Sequence, residues 1–276
     1  MDGSGALLRS PKQAAGRCGH IRLWHDPNVT QPRILLVPNL TELEWLIRPQ
    51  LEEWAEVASF DAPGVGDEPR SEKPDREAII HRALIELERR EWDACFIAGD
   101  SWGNATAVRA ANEWDGKVLG MALGHARLSD SADGERPPVN RVVWDAMGQL
   151  LQNDYSAFIR YGLTQLTQGS IGDELAKRML ERIPMDIAQA AFETILSDEG
   201  GIQDSLRELD APLLFAKHDG CLSATEEGFA DAVAAFPHAR TVSVTDAPTV
   251  SAEFGNALRS FCVEASQVAQ RERGSP

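Results

Sequence analysis

The plainest chemical potential in the 276-residue chain lies in Gly99-Asp100-Ser101-Trp102-Gly103. This G-x-S-x-G segment directly follows the apolar run Ala94-Cys95-Phe96-Ile97-Ala98 and opens a helical stretch from about 102 to 114, which is the strand, tight turn and helix order that a nucleophile elbow requires. A serine on such a turn sits in strained backbone, and the flanking glycines let neighbouring backbone come close without a Cβ clash. Its hydroxyl then stands above the sheet edge, and the amides opening the helix face any oxyanion that develops. The chemistry predicted is attack by the Ser101 oxygen on an acyl carbon. It also needs a base and donors for the oxyanion.

The elements that must position this serine can be read from the spacing of apolar residues. Ile34-Leu35-Leu36-Val37, Val57-Ala58-Ser59-Phe60, 94–98, 118–123, 212–217 and 240–245 are too short for helices and read as buried strands. Between them lie helical stretches, around 43–54 and over 75–91, where Ile79, Ile80, Ala83, Leu84 and Leu87 recur at spacings of three and four behind Asp75 as N-cap. Short apolar strands alternating with helices predict an α/β fold with a mostly parallel, doubly wound sheet. From Leu128 to Leu209 the alternation stops, and 139–152, 154–168, 171–182 and 185–198 all read as helices. The expected organisation is a core over 1–127 and 210–276, with a helical cap or lid over 128–209 above the sheet edge where open α/β sheets bind ligands.

Asp and Glu number 43 against 27 Lys and Arg, a formal net charge of −16. A field of that sign repels phosphate backbones and anionic lipid, so nucleic-acid and membrane-surface roles are not expected. Residues 1–12 carry no apolar signal core, and no apolar run approaches the about 18 residues of a membrane span, so a cytoplasmic protein is expected. Cys18, Cys95, Cys221 and Cys262 form no C-x-x-C pair; Cys95 and Cys262 sit in apolar runs and read as buried hydrophobes. No metal-ligand cluster, phosphate loop or dinucleotide fingerprint is visible, because Gly64-Val65-Gly66 lacks the third glycine and the helix start. No cofactor or metal is therefore expected. The partner is a small-molecule substrate, and a homodimer is compatible with the sequence.

From the elbow outwards the chain resembles the α/β-hydrolase fold superfamily, specifically its capped, serine-nucleophile members, over about residues 20–265. Phe60-Asp61-Ala62-Pro63-Gly64-Val65-Gly66-Asp67 is similar to the family's D-x-x-G-x-G-x-S loop, and Leu36-Val37-Pro38-Asn39-Leu40 stands where the family carries a His-Gly oxyanion loop. The resemblance implies an oxyanion hole from the backbone amides of Leu40 and Trp102. It also implies a triad acid at Asp219, in the turn His218-Asp219-Gly220 after the family's seventh strand.

The family's histidine is missing. It belongs in the loop after the eighth strand, which here reads Val244-Thr245-Asp246-Ala247-Pro248-Thr249-Val250-Ser251, and no His follows to the end of the chain. His20, His25, His81, His218 and His238 are poorly placed, whereas His125 ends the strand after the elbow strand, at the same sheet edge. Two readings of His125 stand open: a relocated general base for Ser101, or a polar strand-end residue bonded to backbone. Asn39 and the lid aromatics Trp144, Tyr155 and Phe158 are expected to line an apolar substrate pocket. The expected function is a serine hydrolase, of the esterase or thioesterase type, acting on an ester, thioester or related acyl bond through a non-standard triad. The alternative keeps the pocket but not hydrolysis, as in small-molecule binding or cyclase- or lyase-type catalysis.

Overall fold

The computed structural model describes residues 31–38, 44–72, 75–125, 141–167, 173–197, 202–218 and 226–273. Six strands form one all-parallel sheet: β1 (Arg33–Leu36), β2 (Glu56–Ser59), β3 (Ala94–Asp100), β4 (Lys117–Gly124), β5 (Leu213–His218) and β6 (Arg240–Val244). Their order across the sheet is β2-β1-β3-β4-β5-β6. The chain winds one way from β1 to β2 and the other way from β3 onward. The order therefore reverses between β1 and β3, which opens a crevice at their C-terminal ends.

Strand residues of alternating parity serve the two faces. Leu35, Val37, Cys95, Ile97, Met121, Leu123, Leu213 and Phe215 join one buried cluster. Helices α2 (Arg76–Arg90), α3 (Gly103–Glu113) and α8 (Gln203–Glu208) and α9 (Glu226–Ala235) supply its other half, through Ile80, Ala83, Leu87, Ala107, Val108, Leu206 and Ala232. On the opposite face the long C-terminal helix α10 (Ala252–Arg273) runs against β4, β5, β6 and α1 (Glu44–Glu52). Phe261 of α10 meets Phe96 edge to face at 6.0 Å between ring centres. The Asp75 carboxylate accepts from the Ala78 amide at 3.1 Å, as the capping pattern predicts.

Between β4 and β5 lie α4 (Arg141–Asn153), α5 (Tyr155–Thr167), α6 (Asp173–Arg182) and α7 (Met185–Ser197), matching the four helices read from the sequence. Ile159, Leu163, Leu175, Ala176, Met179, Ile183 and Ile187 bury themselves against Ala62 and Val65 of the loop after β2, with Val250 of the loop after β6 alongside. Both loops lie at the C-terminal edge of the sheet. Gln31–Pro276 forms one compact unit that holds these helices together with the sheet.

Candidate active site

The G-x-S-x-G motif falls on the turn from β3 into α3. Ser101 has φ +50°, a left-handed conformation that costs a non-glycine residue about 1–3 kcal/mol unless the surroundings impose it. The surroundings are specific. The Ser101 amide donates to the Gly124 carbonyl at 2.8 Å, and Asn104 Nδ2 donates to the same carbonyl at 2.8 Å, tying the elbow to the end of β4. The two glycines of the motif provide space. A Cβ on Gly103 would lie 3.1 Å from the carbonyl oxygens of Val37 and Pro38, and one on Gly99 would lie 3.0 Å from Ala107 Cβ. The end of β1 thus packs directly on the first turn of α3.

One strand over, β4 ends at Gly124 and the chain turns at His125, itself left-handed at φ +52°. Asp100 and Gly124 are register partners, so Ser101 and His125 follow the last paired positions of two adjacent strands. The His125 amide donates to the Ala216 carbonyl at 2.7 Å. Its imidazole Nδ1 lies 2.8 Å from Oδ1 of Asp100, and the two side chains are 0% and 4% exposed.

Several expected site residues lie outside the described residues: Asn39, Leu40 and Asp219, together with the side chain of Trp144 on α4. Trp102 begins the first turn of α3 in helical backbone, φ −71° and ψ −25°. Tyr155 and Phe158 are half-buried on α5 and stack at 6.4 Å. Phe158 also meets Phe192 of α7 edge to face at 6.1 Å. The Tyr155 hydroxyl donates to the Ile183 carbonyl at 2.8 Å, and burial pushes it up to about 12, so it remains a donor at neutral pH. His81 and His238 are exposed, in keeping with their poor placement. Among the described residues no group of three or more His, Cys, Asp or Glu side chains is arranged to hold a metal ion.

The residues missed by the sequence are Asp100, Asn104 and Thr249. Asp100 occupies an x position of the G-x-S-x-G motif, yet it is buried. Its Oδ2 has no hydrogen-bond partner among the described residues, and the same is true of Thr249 Oγ1 and Asn104 Oδ1. The available signal was an acidic residue closing a strand with no other charge. Thr249 lies in the segment where the resemblance would put a histidine, and it is 4% exposed beside the buried Ala247 and Pro248.

No family model and no curated protein matches the chain by sequence. Solved structures do match. A hydrolase from Oleispira antarctica superposes with a TM-score of 0.68 at 14% identity, over 85% of this chain and 92% of its own. An enol-lactonase from Burkholderia xenovorans LB400 gives 0.64 at 17%, over 88% and 94%. An esterase from Exiguobacterium antarcticum gives 0.64 at 13%, over 84% and 91%. The chain has the α/β-hydrolase fold. Identities this low speak for the fold alone. The turn from β3 to α3 lies at the strand-order reversal, and the loop after β6 carries no histidine.

Proposed function

We propose that the protein is a serine hydrolase acting on an ester, thioester or related acyl bond of a small apolar substrate. The observation that carries this reading is Ser101 held at φ +50° on the turn between β3 and α3, its amide donating to the carbonyl of Gly124, the residue before His125. Strain of this kind persists where the surrounding structure over-determines it, and in this reading its task is to present the Ser101 hydroxyl to the substrate. In the proposed reaction Ser101 Oγ attacks the acyl carbon while its proton passes to Nε2 of His125. The amides of Leu40 and Trp102 hold the oxyanion, and the proton then leaves with the alcohol or thiol. Water, deprotonated by the same imidazole, releases the acid and regenerates Ser101. Asp219 is the acid that the family resemblance offers. Helices α4 to α7 act as a lid, with Asn39, Trp144, Tyr155 and Phe158 facing an apolar acyl group. The packing of α5, α6 and α7 on the loops after β2 and β6 supports that role.

A second reading is favoured by one specific observation, the absence of any histidine after β6. There the same pocket binds a small molecule, or uses its base for cyclisation or elimination without an acyl-enzyme. Turnover of p-nitrophenyl acyl esters of increasing chain length, by wild type and by Ser101→Ala, separates the two. The hydrolase reading expects activity on short to medium chains that falls by about 10³-fold or more in the variant. Equal, background rates for both proteins would reject it in favour of the second.

A further inference from the structure

We infer that Asp100, the residue immediately before the proposed nucleophile, is the positioning residue for His125. It holds the imidazole in the Nδ1–H form and stabilises the imidazolium that forms when Ser101 gives up its proton. The inference rests on the reading of Ser101 and His125 as nucleophile and base.

Three observations carry it. Asp100 is 3% exposed at the end of β3, whose other residues are uncharged, and burying a carboxylate costs several kcal/mol unless a partner offsets it. The described partner is the imidazole alone, at 2.8 Å, because Oδ2 has none. A carboxylate kept only for structure would normally have both oxygens satisfied. Finally, the site makes room for this contact. A Cβ on Gly124 would lie 2.2 Å from Asp100 Oδ1 and 2.9 Å from Pro248 Cγ, and Gly124 carries no positive φ, so space rather than backbone freedom is what this glycine supplies.

The chemistry follows from the geometry. Nδ1 has one proton to give, and at 2.8 Å Asp100 takes its hydrogen bond. When the Ser101 O–H bond breaks and the Oγ–carbon bond forms, the proton goes to Nε2 and the ring becomes cationic beside an ionised carboxylate. Asp100 takes no proton from the ring, and the proton leaves from Nε2 to the departing oxygen or sulfur. Lys217 of β5 lies over the Phe229 ring at 5.6 Å, Glu253 of α10 accepts from the Thr245 amide, and Asp246 is half-buried after β6.

The test has two arms. In wild-type protein, imidazole ¹⁵N shifts of His125, assigned by the resonance lost in His125→Asn, are expected to show the proton on Nδ1. A ring protonated on Nε2 overturns the inference, whether or not the protein is a hydrolase. In the second arm, the rate of fluorophosphonate labelling is followed against pH for wild type, Asp100→Asn and Asp219→Asn. Asp100→Asn is expected to lower the plateau by about 10²–10⁴-fold. It also moves the acid limb to lower pH, because the imidazolium loses its anionic neighbour, and a merely structural change would not shift that limb. An Asp100→Asn profile that coincides with wild type, or an acid limb moved by Asp219→Asn instead, overturns the inference while leaving the hydrolase reading intact. Failure of wild type to label counts against that reading, and the ¹⁵N arm still decides Asp100.

Discussion

Two adjacent strands end on non-glycine residues in left-handed backbone, Ser101 and His125, and the structure holds both in place through the Gly124 and Ala216 carbonyls. The strain is bought back by those bonds and by packing around a buried carboxylate. Gly124→Ala is therefore expected to act on the site out of proportion to its size. The added methyl lands on Asp100 Oδ1, and relieving it means moving the carboxylate off His125 or pushing Pro248 away. Overpacking of this kind costs about 1–3 kcal/mol, read as a lower thermal midpoint, with a loss of Ser101 labelling beyond what the stability change explains. Cys95 and Cys262 offer a contrasting case. Burial pushes both thiols far above the ordinary cysteine range, so neither is expected to react with iodoacetamide at pH 8 until the protein is unfolded. The turn at Ser101 and the burial of the two cysteines were legible in the sequence because local pattern decides them. Asp100 was not, because its partner lies 25 positions away and only the β3–β4 register brings them together.

The same distinction holds for the elements. Six strands and the helices between them were legible because each is an apolar run or an amphipathic stretch with its own stop signals. Where the four inserted helices sit was not, since it depends on contacts with distant loops. Arg182, ending α6, donates to Asp61 of the loop after β2 at 2.7 Å, and its carbonyl accepts from the Gly66 amide at 2.8 Å. Burial pushes the Asp61 carboxyl up, aided by Glu68 and Asp67 and opposed by Arg82. Arg182→Met removes the guanidinium from that carboxylate. Because both side chains are partly solvated, the expected cost is about 1–2 kcal/mol, with faster amide exchange over 173–197 and unchanged protection in β3 and β4. Helix α2 carries a buried ionic cluster. Glu86, 1% exposed, accepts from Arg89 and Arg90, with Arg82 at 3.6 Å. Burial opposes its ionisation, but the hydrogen bonds from Arg89 and Arg90 overcome it and hold the carboxyl below its usual range. A depressed folded value means stability present above the unfolded value of about 4.3 and lost as pH falls through the folded one. Glu86→Gln should melt earlier than wild type at pH 7 by about 1–3 kcal/mol, and the difference should close under acid titration.

At the scale of the molecule, a parallel sheet whose strand order reverses between β1 and β3 gathers the ends of β1, β3 and β4 at one edge, and the loops after β2 and β6 carry the inserted helices there. No described helix is long and apolar enough to cross a membrane. The net charge of −16 sets the salt response: self-repulsion is screened over about 8 Å at 0.15 M ionic strength, so the thermal midpoint should rise from low salt to that concentration. The α/β architecture was legible because hydrophobic periodicity and chain order dictate it. His125 was legible only as one of two open readings, because the loop after β6 lacks the expected histidine, and its contact with Asp100 depends on the register of β3 and β4. The central claim, that His125 activates Ser101, is tested most directly by site-resolved mass spectrometry after brief exposure to a fluorophosphonate. Wild type should carry a single adduct on Ser101, formed at least about 10²-fold faster than in His125→Ala. Equal labelling of the two proteins, or an adduct at any other residue, would contradict it.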